Sequence, residues 1–159
     1  MALNAQEFST EVHASVAQCF ATITDFEQYP QWFSTIQRSK ILSRHANRLA
    51  KRVEYFIDMK VKIVRYVLEY EYNKPTHLTW RSVDGDIEAI EGSYRFEKLG
   101  SSLSRATCRQ AVSLGFWVPG LLRSLMERQA LKQAVLEFKA AAEKAAQEKA
   151  RRRGEGKRP

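Results

Sequence analysis

The stretch from Pro119 to about Lys149 constrains the fold more than any other, because it reads as one long helix. Proline has a fixed φ and no amide proton, which suits the first helical turn. After Gly120 no proline or glycine occurs until Gly154. At 1.5 Å per residue about 30 residues span ~45 Å, more than a small domain needs to cover one flank of its core. The apolar side of this helix also changes direction. Val118, Leu121, Leu122, Leu125 and Met126 share one face, while Leu131, Val135, Phe138 and Ala142 share another. At 100° per residue the two stripe centres lie roughly 140° apart. Such a helix is either covered from two sides, or gripped by a sheet along its second half while its first half faces a cavity or a membrane surface.

What precedes the helix supplies the sheet. Glu7 to Val12 alternates Phe8, Thr10 and Val12 against polar residues, a short edge-like strand. Ser15 with Gln18 has the form of a capping box, and Val16, Cys19, Phe20 and Ile23 give a helical stripe. Asp25 with Gln28 predicts a cap for a second, shorter helix that Pro30 interrupts. That segment holds four aromatics, Phe26, Tyr29, Trp32 and Phe33. Phe26 and Tyr29 read as a plug at one end of the core, and Trp32 and Phe33, beyond the proline, either as part of that plug or as a gate or entrance for a ligand.

From Ile36 onward the pattern is strand-like. Ile36 to Arg44, Leu49 to Asp58, a strand carrying Val64, Tyr66, Leu68, Tyr70 and Tyr72 on one face, and a strand with Leu78 and Trp80 follow one another. The break near Met59 and Lys60 lacks glycine or proline. Asp84-Gly85 is read as a two-residue hairpin loop, because such loops need positive φ. Ile87 to Lys98 then places Ile90, Gly92, Tyr94 and Phe96 on one face, with Gly92 leaving room there. Leu103 to Leu114 is the last strand, and Gln110 is the polar member of its inner face. The sum is seven antiparallel strands with one solvated face, whose other face must be buried by the long helix.

Composition narrows the function classes. A chain of 159 residues suits one domain, 1–148, followed by a basic disordered tail, 149–159. The net charge of +8 is concentrated there: residues 149–159 hold six basic side chains against one acidic, a net of +5, which leaves +3 for the rest. A weak contact of this tail with RNA, ribosome or anionic membrane is the partner it suggests, with no specific DNA binding. No basic segment followed by an apolar run opens the chain, and no apolar run approaches a membrane span, so a cytoplasmic protein is expected. Cys19 and Cys108 are isolated, and His13, His45 and His77 are scattered, so neither a metal site nor a cofactor is expected.

The order of elements, the stretch Asp25 to Phe33, the segment Gly92-Ser93-Tyr94-Arg95-Phe96 and the approach Leu114 to Leu122 together resemble the START-like (SRPBCC) superfamily, and within it the polyketide cyclase/dehydrase and coenzyme Q-binding branch. The likeness covers residues 6 to about 146 and is carried by loose motifs that mark a fold and a pocket rather than a reaction. It implies an α+β helix-grip fold. A curved seven-stranded antiparallel sheet wraps the long C-terminal helix, with two short helices between strands 1 and 2 and a cavity between sheet and helix. The implied task is binding a hydrophobic small molecule such as a lipid, quinone, sterol or polyketide.

The candidate ligand-binding residues are Trp32, Phe33, Tyr66, Tyr70, Trp80, Tyr94, Gln110, Leu121, Leu122, Leu125 and Met126. Ile90, Phe96, Val112 and Leu114 read instead as core. Catalysis of ring closure or dehydration needs a titratable group within reach of the substrate. Glu69, Glu71, Glu91, Arg95 and Arg109 mostly alternate onto the outer face, and the inner face offers only tyrosines and Gln110. The expectation is therefore a carrier or chaperone of a lipid-like molecule. The alternatives are a polyketide cyclase, aromatase or dehydratase using Tyr66, Tyr70 or Tyr94, and a ribosome-associated interaction protein.

Overall fold

The computed structural model describes residues 5–58, 62–115 and 120–155, the side chains of 120–127 and 155 excepted. Strand β1 (Ala5–Val12) leads into helix α1 (Val16–Ile23) and a 3-10 turn (Phe26–Gln31). Six strands follow: β2 (Ile36–Arg44), β3 (Ala50–Asp58), β4 (Ile63–Asn73), β5 (His77–Gly85), β6 (Ala89–Gly100) and β7 (Leu103–Ser113). Helix α2 (Gly120–Glu155) closes the described chain. The seven strands form one antiparallel sheet in the order β1-β7-β6-β5-β4-β3-β2. This is the expected helix-grip arrangement.

Local chemistry explains the elements and corrects three expectations. Ser15 caps α1, its hydroxyl accepting from the Gln18 amide at 3.1 Å, but the Gln18 side chain turns along the helix to Thr22 at 3.0 Å instead of closing a capping box. Asp25 makes no side-chain cap, and Pro30 lies inside the 3-10 turn rather than interrupting a helix. Asp84-Gly85 is not a hairpin loop. Gly85 ends β5 opposite Tyr66, with φ +113°, and a Cβ there would lie 2.4 Å from the Arg65 carbonyl oxygen. The chain reverses beyond it, where the Asp86 amide donates to the Arg65 carbonyl at 2.7 Å and the Asp86 carboxylate accepts from the Arg65 amide at 2.9 Å.

Alternation along the strands sorts the two faces. Val53, Tyr55, Val64, Leu68, Tyr70, Leu78, Trp80, Ile90, Tyr94, Phe96, Ala106 and Cys108 are buried on the inner face. The outer face carries ion pairs: Arg65 with Glu54 at 2.8 Å and Asp84 at 3.2 Å, and Glu69 with Arg52 at 3.0 Å and Arg81 at 3.1 Å. Exposed pairs of this kind contribute little stability, and their main consequence is to keep charge off the inner face.

Helix α2 grips that face through its second half. Leu131 is nearly buried, and Val135, Phe138 and Ala142 are fully so. The Phe138 ring lies 5.2 Å from Tyr94 and 5.8 Å from Phe96, centroid to centroid. Polar ties fix the helix at both ends of this seam. Near β1, the Glu143 carboxylate accepts from the His13 amide and from Lys139 Nζ, both at 2.8 Å, and Lys139 also donates to the Glu11 carbonyl at 2.7 Å. Near the aromatic segment, the Ser34 amide donates to Glu137 at 3.1 Å, and the Gln133 side chain donates to the Ser34 hydroxyl at 2.7 Å. The helix runs on through the exposed Arg151, Arg152 and Arg153, past the expected end near Lys149, so the first part of the expected tail is helical. The start expected at Pro119 and the break near Met59 lie outside the described residues.

Two outcomes follow from the seam. Phe138→Ala should lower unfolding free energy by about 3–5 kcal/mol in a denaturant titration, whereas Leu136→Ala, 41% exposed on the same helix, should change it by less than about 1 kcal/mol. Partial burial pushes the Glu143 carboxyl up, but Lys139 and the His13 amide more than offset this and hold it below its ordinary value of 4.5. The folded state therefore releases this proton more readily than the unfolded one. The clamp contributes fully above that ordinary value and is lost as pH falls through the lowered folded value. Glu143→Gln should flatten the acid limb of thermal stability and leave the neutral-to-basic limb parallel to wild type.

Candidate ligand cavity

Between the sheet, the aromatic segment and α2 lies a cavity of about 500 Å³, within the roughly 300–1,000 Å³ typical of small-molecule sites. Its walls come from many elements. Ile23 ends α1, Tyr29 and Phe33 come from the 3-10 turn and its exit, Tyr55 and Ile57 from β3, and Tyr66, Leu68 and Tyr70 from β4. Leu78 and Trp80 from β5, Ile90 and Tyr94 from β6, Cys108 and Gln110 from β7, and Leu131 and Ala134 from α2 add to it, with polar Gln6, Thr35, Gln129 and Gln133 among the other lining residues. Among the described lining residues Asp58 is the only charged one.

The tyrosines are tied to one another and to the backbone. The Tyr55 and Tyr70 hydroxyls meet at 2.7 Å, the Tyr29 hydroxyl donates to the Ile23 carbonyl, and the Tyr72 hydroxyl donates to the Ala50 carbonyl at 2.6 Å. Burial pushes the hydroxyls of Tyr29, Tyr55, Tyr66, Tyr70 and Tyr94 well above their ordinary value, so all stay protonated at neutral pH. Burial likewise pushes the Cys108 thiol, next to Tyr94, up to about 12. Such groups hold protons and offer them in hydrogen bonds. The Tyr94 hydroxyl is buried beside the Cys108 thiol and has no oxygen or nitrogen partner among the described residues.

Of the residues expected at the site, Phe33, Tyr66, Tyr70, Trp80, Tyr94 and Gln110 come together on this wall. Trp32 stands behind it, its ring 3.9 Å from Phe33, 5.0 Å from Tyr29 and 6.2 Å from Phe138. The side chains of Leu121, Leu122, Leu125 and Met126 lie outside the described residues. Ile90, Val112 and Leu114, expected as plain core, also line the cavity, whereas Phe96 does not. Tyr29, expected as part of a core plug, and Tyr55, given no role from the sequence, are also wall residues. The alternation of Val53, Tyr55 and Ile57 was the signal that could have found Tyr55. Leu131 and Ala134 extend the wall onto the half of α2 expected only to grip.

The space expected at Gly92 is filled. A Cβ at position 92 would lie 2.5 Å from Cε2 and Cζ2 of Trp80, because the indole crosses directly over the glycine. Its Nε1 donates to Gln110 Oε1 at 3.1 Å. Gly92→Ala should therefore displace the indole, costing about 1–3 kcal/mol by overpacking. The measurable consequences are a lower denaturation midpoint and a shifted tryptophan emission.

Comparison with known proteins agrees with this architecture. A search of curated protein sequences found no match. Among solved structures, a START superfamily protein from Mycobacterium smegmatis superposes with a TM-score of 0.76 at 18% identity, covering 91% of this chain and 97% of that one. A protein from Thermus thermophilus does so with a TM-score of 0.78 at 18% identity, covering 90% and 99%. The Zhui aromatase/cyclase from a Streptomyces species gives 0.65 at 15% identity, covering 96% of each. At such identities these likenesses speak for the fold. The family model described as polyketide cyclase / dehydrase and lipid transport matches residues 12–139, most of the chain, and the protein belongs to that family.

Proposed function

We propose that this protein binds a hydrophobic small molecule, a lipid, quinone or polyketide-like compound, in the cavity between sheet and α2, and carries or shields it. The carrying observation is the wall itself: about 500 Å³ lined by aromatic and aliphatic side chains, with one carboxylate and no cation among its described residues. Burying ~300 Å² of apolar ligand surface is worth roughly 7 kcal/mol before association costs, enough for binding without a charged anchor. Phe33, Tyr66, Tyr70, Trp80, Tyr94 and Gln110 supply the contact surface, with Trp32 bracing Phe33.

One observation favours a cyclase or dehydratase as second reading: Tyr29, Tyr55, Tyr66, Tyr70 and Tyr94 line a substrate-sized space. Their ionisation is pushed away from neutrality by burial, whereas efficient general acids and bases titrate near the working pH. The binding reading is therefore preferred.

The test is fluorescence of the neutral apolar probe N-phenyl-1-naphthylamine with delipidated protein. Saturable enhancement, reversed by decylubiquinone, cholesterol or monoolein, is expected at about 1–100 μM. Absence of both enhancement and displacement would refute the proposal. Native mass spectrometry of gently purified protein would weigh any copurified ligand.

A further inference from the structure

Trp80, Gly92 and Gln110 lie side by side across β5, β6 and β7, each the register partner of the next. The missing Cβ at position 92 lets the Trp80 indole reach Gln110 Oε1. An indole N–H can only donate, and of the two ends of a glutamine amide only the oxygen accepts. The contact thus settles which way the amide stands: oxygen toward Trp80, amino group turned away. That amino group donates to no protein acceptor among the described residues, and Gln110 lies on the cavity wall. Near it is the Tyr94 hydroxyl, which has the Cys108 thiol beside it but no oxygen or nitrogen partner among the described residues; its ring lies 5.9 Å from Trp80, and its register partner Cys108 is two residues from Gln110.

We infer that the cavity selects its ligand by a neutral hydrogen-bond acceptor, a carbonyl or ether oxygen, docked on the amino group of Gln110, with Trp80 as the positioning residue that keeps this donor presented. The inference rests on the ligand-binding reading and narrows its chemistry. A ligand carboxylate would be buried with no cation among the described wall residues, which is strongly disfavoured. A ligand whose only polar group is a donor would find no acceptor at the amino group of Gln110. An apolar molecule carrying a ketone, quinone or lactone oxygen satisfies what the wall leaves open and buries the rest of its surface.

Three naphthalenes of similar shape test this by displacement of N-phenyl-1-naphthylamine: 2-acetylnaphthalene with a ketone, 2-ethylnaphthalene without one, and 2-naphthoate with a charge. Wild type should bind the ketone about fivefold more tightly than the hydrocarbon, as one added hydrogen bond implies, and at least about tenfold more tightly than the carboxylate. In Gln110→Met and in Trp80→Phe the ratio of ketone to hydrocarbon affinity should fall to about one, whatever the change in overall affinity. The infrared carbonyl stretch of the bound ketone should sit at lower wavenumber in wild type than in either variant, a signature that a merely structural role of Trp80 would not move. If the probe and hydrocarbon bind but the ketone has no advantage in wild type, or keeps it in both variants, acceptor selection is overturned and the ligand-binding reading stands. If neither probe nor any naphthalene binds wild type, both fall.

Discussion

The fold depends on the seam where the second half of α2 presses into the concave face of the sheet. A sheet with one charged and one apolar face must bury the latter, and here α2 shares that work with α1 and the aromatic segment. At the tight end of the seam Phe138 packs on Tyr94 and Phe96, and the Glu143–Lys139 clamp fixes the helix to the end of β1. Toward the aromatic segment, Phe33 and Trp32 stack on each other and come between sheet and helix, with Trp32 touching Phe138 from the far side of the cavity wall. Leu131 and Ala134 of the helix line the same cavity as Phe33.

An apolar space of this size persists only if the polar groups around it are otherwise engaged. Buried hydroxyls without partners draw in water or destabilise the fold. Here Tyr55 and Tyr70 satisfy each other, Tyr29 and Tyr72 are satisfied by backbone carbonyls, and the Trp80 indole is satisfied by Gln110. Among the described residues the buried Tyr94 hydroxyl is left without an oxygen or nitrogen partner.

Much of this was legible in the residues because alternation and helical spacing are local and strong. Tyr66, Tyr70, Trp80, Tyr94 and Gln110 were placed on one inner face by period-two counting, and Leu131, Val135, Phe138 and Ala142 on one helical stripe by period 3.6. What failed was non-local. Asp84-Gly85 has hairpin composition, yet the positive φ of Gly85 serves its close approach to the Arg65 carbonyl on the neighbouring strand. Gly92 reads as room left for a ligand. Only the register between β5 and β6 reveals that Trp80 sits opposite and takes that room. The depth of the cavity along α2 depends on rings from a separate segment, a distance that no single stripe encodes.

The same burial that shapes the cavity sets what its groups can do. Desolvation favours the neutral form of every tyrosine and of Cys108. A hydroxyl whose ionised form is disfavoured is a poor proton shuttle but a good fixed donor, since it stays protonated whatever the external pH near neutrality. Lowering such a value to catalytic range would need a cation or a further donor aimed at the oxygen, and the described wall offers no cation. The described tyrosines and Cys108 therefore bring neutral groups to the wall, and Asp58 is the one charged side chain among its described lining residues.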